Sequence, residues 1–248
     1  MTCEVTVITP AYNAAKYIEK AILSVLEQSV PCKMLIVNDA SKDDTGVIAQ
    51  KYQELYPDRI RVINKKVNGG VSAARNEAIG KADTRYVAFL DADDWWSQNK
   101  IELQLKRMQD ANADVCYAGR ELMTEDGECT QKIIHVPQSV DYKTLLHGNV
   151  IPCSTVMMRR EDALRYPMKY DELHEDYIVW LSMLRDNKTF VGIDEPLLKS
   201  RMANGGKSRN KWKSAKMTYQ VYRHIGIPTY KAIYYFMCYA INGVTKYH

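Results

Sequence analysis

The sequence predicts an α/β protein with a mostly parallel central sheet flanked by helices and with a helical extension at the C-terminus. Three observations support this fold class. Short apolar segments alternate with amphipathic segments over the first 112 residues, as they do in repeated βα units. The short segments are rich in β-branched and apolar residues, which is typical of strands buried on both faces. Polar loops follow them, at the sheet edge where α/β proteins bind ligands.

The alternation can be followed element by element from the N-terminus. Residues 4–9 are β-branched and apolar and predict the first strand, which residues 10–13 end. The next segment, 14–28, carries Ile18, Ile22 and Val25 at helical spacing. The same criteria predict strands at 34–37, 60–63 and 85–90, and helices at 45–56, 71–82 and 98–112.

After Ala113 the alternation is less regular. Apolar segments predict strands at 114–117, 131–136 and 154–159, on either side of a short helix at 142–146. A further helix is predicted at 176–185, and a last one at 229–245. No internal repeat and no composition typical of a linker divides the chain.

The net charge of +4 is unevenly distributed along the 248 residues. From Lys199 onwards the chain has ten Lys and Arg and no Asp or Glu. The first 198 residues have 24 Lys and Arg and 30 Asp and Glu, a net charge of −6. Such a basic tail predicts an anionic partner. Nucleic acid is not expected to be that partner, because no recognised nucleic-acid-binding module accompanies the tail.

Cysteine usage and hydropathy predict a cytoplasmic protein. The six cysteines are scattered without a C-x-x-C pair, which favours reduced thiols over a disulfide framework. No signal peptide is visible, and no uncharged run reaches the roughly 18–20 residues of a membrane-spanning helix.

The strongest chemical signal is the acidic loop Asp91-Ala92-Asp93-Asp94, directly after the apolar strand at 85–90. Three carboxylates so close together repel one another unless a cation or hydrogen-bond donors compensate them. Oxygen ligands suit Mg²⁺ or Mn²⁺. The alternative is a solvated turn in which Asp93 or Asp94 caps the next helix.

Other polar loops are predicted at the same sheet edge, at 9–13, 38–41 and 68–70. In them Asp39 can accept a hydrogen bond from a nucleobase, Tyr12 can pack against that base, and Arg75 can reach an anion. Neither G-x-G-x-x-G nor the P-loop motif occurs, which argues against a dinucleotide site and against a P-loop nucleoside triphosphatase.

Four segments together resemble the family 2 glycosyltransferases of the GT-A fold. They are "VITPAYNAAKYIEKAILSVLEQS", "LIVNDASKDDT", "NGGVSAARNEAI" and "YVAFLDADDWW", in that order over residues 4–97, and "HEDY" extends the match to Tyr177. The resemblance implies a GT-A-type fold and an enzyme that uses a nucleotide sugar and inverts the anomeric centre. Residues 1–200 would form the domain, with about 1–112 binding nucleotide and 113–200 binding the acceptor.

The resemblance also assigns site residues. Those implied to bind the nucleotide are Thr9, Ala11, Tyr12, Asp39, Asn68, Arg75, Asp91, Ala92 and Asp93. Asp39 would recognise the base, usually uracil, and Asp93 with Asp91 would hold Mn²⁺ or Mg²⁺.

Asp94 would face the donor or acceptor sugar, near Trp95 and Trp96, of which we expect only one to be exposed. Asp176 matches the catalytic base and Glu175 lies beside it, although both are also common as a helix N-cap and first-turn acid. The N-terminus of the helix at 176–185 is expected to favour the ionised form of Asp176.

Residues 201–248 are predicted to form a basic lid followed by an aromatic helical tail. The lid residues that would close over the donor diphosphate are Arg201, Lys207, Ser208 and Arg209. In the tail, helical spacing places one apolar stripe on one face, consisting of Tyr230, Ile233, Tyr234, Met237 and Ile241. That stripe either packs on the body or lies on an anionic membrane.

Together these features predict a metal-dependent inverting glycosyltransferase at the inner face of the cell membrane. It would move a sugar from a UDP-hexose or UDP-HexNAc to a hydroxyl of a glycan acceptor, such as one linked to undecaprenyl diphosphate. The β-linked product would belong to a surface polysaccharide such as O-antigen or capsule. The alternatives are a nucleotidyltransferase, whose Gly-rich basic first loop is missing here, and a non-catalytic nucleotide- or glycan-binding module.

Overall fold

The computed structural model describes residues 3–202 and 211–245. Its strands are β1 Val5–Ala11, β2 Lys33–Asn38, β3 Ile60–Asn64, β4 Tyr86–Phe89, β5 Trp95–Trp96, β6 Val115–Met123, β7 Cys129–Ile134, β8 Met157–Arg159 and β9 Phe190–Arg201. Its helices are α1 Ile18–Leu26, α2 Thr45–Leu55, α3 Gly70–Lys81, α4 Lys100–Asp110, α5 Tyr142–Leu146, α6 Arg160–Arg165, α7 Glu175–Arg185, α8 Lys211–His224 and α9 Thr229–Thr245. A 3₁₀ turn covers Cys153–Thr155. Every strand and helix predicted from the sequence is present, with ends shifted by a few residues.

The described strands form one sheet in the order β3-β2-β1-β4-β8-β6-β9-β5, with β7 added beside β6. The first four strands are parallel, so their carboxyl ends lie at one edge. Beyond β4 the sheet is mixed, because β8 is antiparallel to both β4 and β6 while β9 is parallel to β6. The predicted parallel sheet is therefore confirmed for the first four strands, and the rest of the sheet is mixed.

Helices cover both faces of this sheet. In β1, Val7 and Ile8 are both fully buried but belong to different apolar clusters, because successive strand residues point to opposite faces. One face packs against α1, α2 and α4, and the other against α3, α6, α7 and α8. Burial on both sides explains why β1, β2 and β4 are almost wholly apolar.

The long strand β9 is the main element that the sequence analysis missed. Its centre contains Asp194, Glu195 and Pro196, which interrupt the apolar pattern of a strand. The pairing of β6 with β9 shifts register on both sides of Gly119, where Gly119 lies opposite Pro196. A Cβ on Gly119 would lie 2.9 Å from the Glu195 carbonyl oxygen. The irregular pairing therefore accommodates a proline that has no N–H to donate.

The C-terminal extension forms two helices that pack on the body. Val221 and Tyr222 of α8 and Ala232 of α9 are fully buried in the same cluster as α7. No helix in the described part of the chain has both the length and the apolar character needed to cross a membrane.

Candidate active site

The loops after β1 and β2 are joined to each other at the carboxyl edge of the sheet. The backbone N–H of Asn13 donates to Ser41 Oγ at 3.1 Å, and the N–H of Lys42 donates to Asn13 Oδ1 at 2.8 Å. Thr9 and Ala11 lie buried beneath these loops, whereas Tyr12 is 49% exposed. Among the described residues the buried hydroxyl of Thr9 has no hydrogen-bond partner.

Asp39, at the end of β2, holds the N-terminus of α3. Its buried carboxylate accepts the N–H groups of Gly69 at 2.9 Å and Gly70 at 2.8 Å and pairs with Lys65 Nζ at 2.7 Å. Burial acts to raise the pKa of Asp39, but Lys65 and the two amides outweigh it and hold that pKa below its usual value. Asp39 is therefore an ionised acceptor beside Asn68, whose side-chain amide donates to the Asp39 carbonyl at 3.2 Å.

Arg75, in the second turn of α3, joins the acidic loop to the start of α7. It is 3% exposed. Its Nη2 lies 2.6 Å from Asp91 Oδ1 and its Nη1 lies 3.0 Å from Glu175 Oε1. Two separately predicted carboxylate motifs therefore meet on one guanidinium, whose several N–H groups let it bind two carboxylates at once.

The same face of α3 orients the segment that leads to Glu175. The backbone N–H of Ser72 donates to Asp171 Oδ1 at 2.9 Å. The side-chain amide of Asn76 pairs with the backbone of Met168 in both directions, at 2.6 and 3.0 Å. Gly70 has a φ of +84°, and a Cβ there would lie 1.8 Å from Asp171 Oδ2, so this close approach requires glycine.

The acidic loop places three carboxylates in different surroundings. Asp91 is partly exposed and engaged by Arg75. Burial, and then the charge of Asp91, raises the pKa of Asp93 to about 6. Asp94 is buried and accepts the backbone N–H of Arg201 at 2.9 Å. Burial, and then the charges of Asp93 and Asp91, raises the pKa of Asp94 far above its usual value.

Asp91 and Asp93 would supply two carboxylate ligands to a divalent cation, which needs further ligands to complete its coordination. Burial, and then repulsion from Asp91, raises the pKa of Asp93, and a cation would relieve that repulsion. Within the described residues no group of three or more His, Cys, Asp and Glu is arranged to enclose a metal ion. The remaining ligands would then be water and phosphate oxygens, as is usual for Mg²⁺.

Helix α7 begins at Glu175, one residue earlier than the sequence predicted. Glu175 is buried and engaged by Arg75, whereas Asp176 is half-buried and accepts the N–H of Tyr177 at 2.8 Å. Burial, and then the Glu175 carboxylate, raises the pKa of Asp176 to about 7, although Arg75 opposes this. The expectation that the helix N-terminus would favour the ionised form was wrong, because desolvation and a like charge outweigh the helix dipole.

The two tryptophans after the acidic loop lie in different environments. Trp96 is buried, and its indole N–H donates to the Ser154 carbonyl at 2.9 Å. Trp95 is half-buried, and Lys20 Nζ lies 3.6 Å from the centre of its ring. Only Trp95 therefore offers any accessible ring surface for contact with a sugar.

Arg201 ends β9 and binds the acidic loop directly. Its Nε donates to the Asp93 carbonyl at 3.0 Å, and its Nη1 donates to the Glu125 carbonyl. The guanidinium also lies 5.0 Å from the Trp95 ring centre. The remaining predicted lid residues, Lys207, Ser208 and Arg209, lie outside the described residues.

Sequence reasoning missed Lys65, Ser154 and Asp171, each of which binds a predicted site residue or the helix that carries one. Lys65 pairs with Asp39, Asp171 binds the first turn of α3, and the Ser154 hydroxyl accepts the backbone N–H of Asp91 at 3.1 Å. None of them stands in a motif that the analysis used. The only available signal was the position of Lys65 just after the third predicted strand.

The chain is similar to known proteins along most of its length. The family model described as "Glycosyl transferase family 2" matches residues 6–166. TuaG of Bacillus subtilis, a glycosyltransferase whose name assigns it to teichuronic acid biosynthesis, is 42% identical over 244 residues, which are 98% of this chain and 96% of TuaG. WfgD of Escherichia coli is 32% identical over 98% of this chain and 94% of WfgD. Its name describes a UDP-Glc:α-D-GlcNAc-diphosphoundecaprenol β-1,3-glucosyltransferase.

A solved structure shares the fold. The crystal structure of S. aureus TarS residues 1–349 with UDP-GlcNAc matches with a TM-score of 0.73 at 19% identity, covering 92% of this chain and 69% of that one.

Proposed function

The chain belongs to glycosyl transferase family 2, and we propose that it transfers a sugar from a uridine diphosphate sugar to a glycan acceptor linked to a lipid diphosphate. The fold is that of the GT-A glycosyltransferases. The names of TuaG and WfgD support a role in building a cell-surface polysaccharide, with a β-linked product. The structural observation that carries the proposal is the Arg75 bridge, because it joins Asp91 of the acidic loop to Glu175, the residue directly before the proposed base.

In the proposed reaction Asp176 removes the proton from the attacking acceptor hydroxyl. Glu175 is engaged by Arg75, whereas Asp176 is less buried and has the raised pKa of a base that works near neutral pH. Attack from the face opposite the diphosphate inverts the anomeric centre through an oxocarbenium-like transition state. Residues 113–200, which contain Asp176, would therefore supply the acceptor side of the site.

The nucleotide is assigned to the loops after β1 and β2. Asp39 is an ionised acceptor, Tyr12 presents an exposed ring, and Thr9 lies buried beneath the two loops. Asp93, with Asp91, would hold Mn²⁺ or Mg²⁺, and Arg201 beside them would face the diphosphate. When bound, such an ion neutralises the charge that develops on the departing diphosphate.

We also propose that the protein works on the cytoplasmic face of the cell membrane, in contact with it through α9. Four residues of the predicted apolar stripe are exposed, since Tyr230, Ile233, Tyr234 and Met237 are 70, 48, 52 and 53% accessible. The helix is attached through its other face, where Ala232 is buried. With no Asp or Glu after Lys199, this surface suits anionic lipid.

The donor assignment is tested by nucleotide binding. We expect UDP with Mn²⁺ to raise the melting temperature more than GDP does, and UDP release from a UDP-sugar to need both metal and acceptor. Asp39→Asn should weaken UDP binding about tenfold or more, because a charged acceptor is lost. Asp43→Asn is the matched control, since Asp43 binds the backbone of Ala15 and Thr45 in the same loops. Binding of GDP or CMP nucleotides alone would contradict the assignment.

The membrane assignment is tested by sedimentation with vesicles. The double variant Ile233→Ser and Tyr234→Ser should reduce binding to phosphatidylglycerol vesicles about tenfold, because apolar surface that enters the interface is removed. Val47→Ser with Leu55→Ser removes exposed apolar side chains from α2 instead and should leave binding unchanged. Equal binding of both double variants, or equal binding to phosphatidylcholine, would argue against the proposed surface.

A further inference from the structure

A buried polar cluster lies directly beneath the acidic loop. Its members all have less than a tenth of their surface exposed, and we call them the anchor cluster: Asp94, Trp96, Lys100, Gln104 and Ser154. Lys100 and Gln104 are completely buried, which is unusual for these residue types. The catalytic steps proposed above use none of these side chains.

Ser154 makes three contacts with the acidic loop and the strand after it. Its Oγ accepts the backbone N–H of Asp91 at 3.1 Å, and its hydroxyl lies beside the carboxyl group of Asp94, whose pKa it lowers. Its carbonyl accepts the indole N–H of Trp96 at 2.9 Å. Since Asp94 also accepts the backbone N–H of Arg201, it is bound by protein groups on the inner side of the loop.

Lys100, the first residue of α4, contacts two other members of the anchor cluster, Trp96 and Gln104. Its Nζ lies 3.8 Å from the centre of the Trp96 ring and 2.7 Å from Gln104 Oε1. The Gln104 amide donates to the carbonyl of Thr155 at 2.8 Å, next to Ser154, and to the carbonyl of Cys116 at 3.2 Å. Burial removes water from the Lys100 amine and lowers its pKa to about 7. The contacts with the Trp96 ring and Gln104 partly replace the lost hydration.

We propose that the anchor cluster sets the geometry of the acidic loop before the donor binds, with Ser154 as the positioning residue and Asp94 as its partner. The inference rests on the proposed function, because it concerns how Asp91 and Asp93 meet the donor diphosphate. Like charges on these two residues would otherwise drive them apart in the free protein. A loop held in place in advance reduces the free energy lost on binding.

The test is a double-mutant cycle on UDP binding, measured by calorimetry with Mn²⁺ present. Ser154→Ala and Asp94→Asn should each weaken UDP binding about tenfold, which is the range of one buried hydrogen bond. Because the two side chains lie side by side and hold the same loop, the UDP affinity of the double variant should also fall about tenfold rather than a hundredfold. At saturating donor and metal, Ser154→Ala should turn over at close to the wild-type kcat, because bound ligands restore the loop.

Ser24→Ala is the matched control for stability. Ser24 is also buried, but its hydroxyl bonds to Ala21 of its own helix. Three results would overturn the proposal: additive losses in the double variant, UDP affinity within twofold of wild type for Ser154→Ala, or an equal loss of affinity for Ser24→Ala. Wild-type protein that binds no UDP at all would instead refute the proposed function.

Discussion

Replacing Asp176 with asparagine is expected to lower kcat for sugar transfer by a factor of about a hundred to ten thousand, the usual contribution of a general base. The amide cannot accept the proton of the acceptor hydroxyl, but it keeps the size of the side chain. UDP affinity should stay within about twofold of wild type, because Asp176 lies on α7 and not in the nucleotide loops. Initial rates and UDP calorimetry on the same preparation would measure both effects.

Glu175→Gln is the paired variant. Glu175 is bound to Arg75. Replacing Glu175 should therefore disturb the position of Arg75 and affect the proton-transfer step only indirectly. If Asp176→Asn keeps most of its turnover while Glu175→Gln does not, the two roles must be exchanged.

The assignment of Asp176 as the base also predicts how kcat/KM depends on pH. Asp176 acts when it is deprotonated and its pKa is raised to about 7, so kcat/KM should fall about tenfold per pH unit well below 7 and level off above it. In Asp176→Asn this acid limb should disappear. A limb that persists in that variant would assign the titration to another group.

Replacing Arg75 with methionine is expected to have the second large effect, on stability as well as activity. The change leaves Glu175 buried without its arginine partner and frees Asp91 from the bridge. Removing one partner of a buried ion pair lowers the free energy of unfolding by about 3–5 kcal/mol, although the partial exposure of Asp91 favours the lower figure. Urea denaturation at pH 8 would measure the loss, and transfer should fall at least about a hundredfold.

Two controls make this prediction specific. Lys81→Met removes an exposed pair with Glu77 and should change the free energy of unfolding by less than about 0.5 kcal/mol. The double variant Arg75→Met with Glu175→Gln removes the uncompensated carboxylate and should recover part of the stability, but not the activity. Equal losses in the free energy of unfolding for Lys81→Met and Arg75→Met would show that the buried Arg75 pairs stabilise the protein no more than an exposed pair does.

Much of the first half of the chain could be predicted because its signals are local. The strand containing Val7 and Ile8 and the helix containing Ile18 and Ile22 follow from apolar periodicity. The polar loops were expected at one edge because the carboxyl ends of parallel strands meet there, and the structure places Asp39 and Asp91 at that edge.

The second half was less predictable because its elements depend on non-local pairing. Strand β9 contains Pro196 in its centre and forms only because β6 pairs with it in a shifted register. The short strand β5 pairs with the far end of β9. Neither feature has a periodicity that a single sequence would reveal.

The sequence by itself determined the order of most elements, the chemistry of the loops and, through their combination, the family. Only the tertiary structure decided which carboxylates pair with Arg75 and which, Asp176, does not. Arg75 binds Asp91 and Glu175, which lie 16 and 100 residues away, and Ser154 reaches Asp91 across 63 residues. The pKa of Asp176 likewise depends on burial and on the Glu175 charge. Desolvation and pairing arise only when distant segments meet, so no local pattern could have specified them.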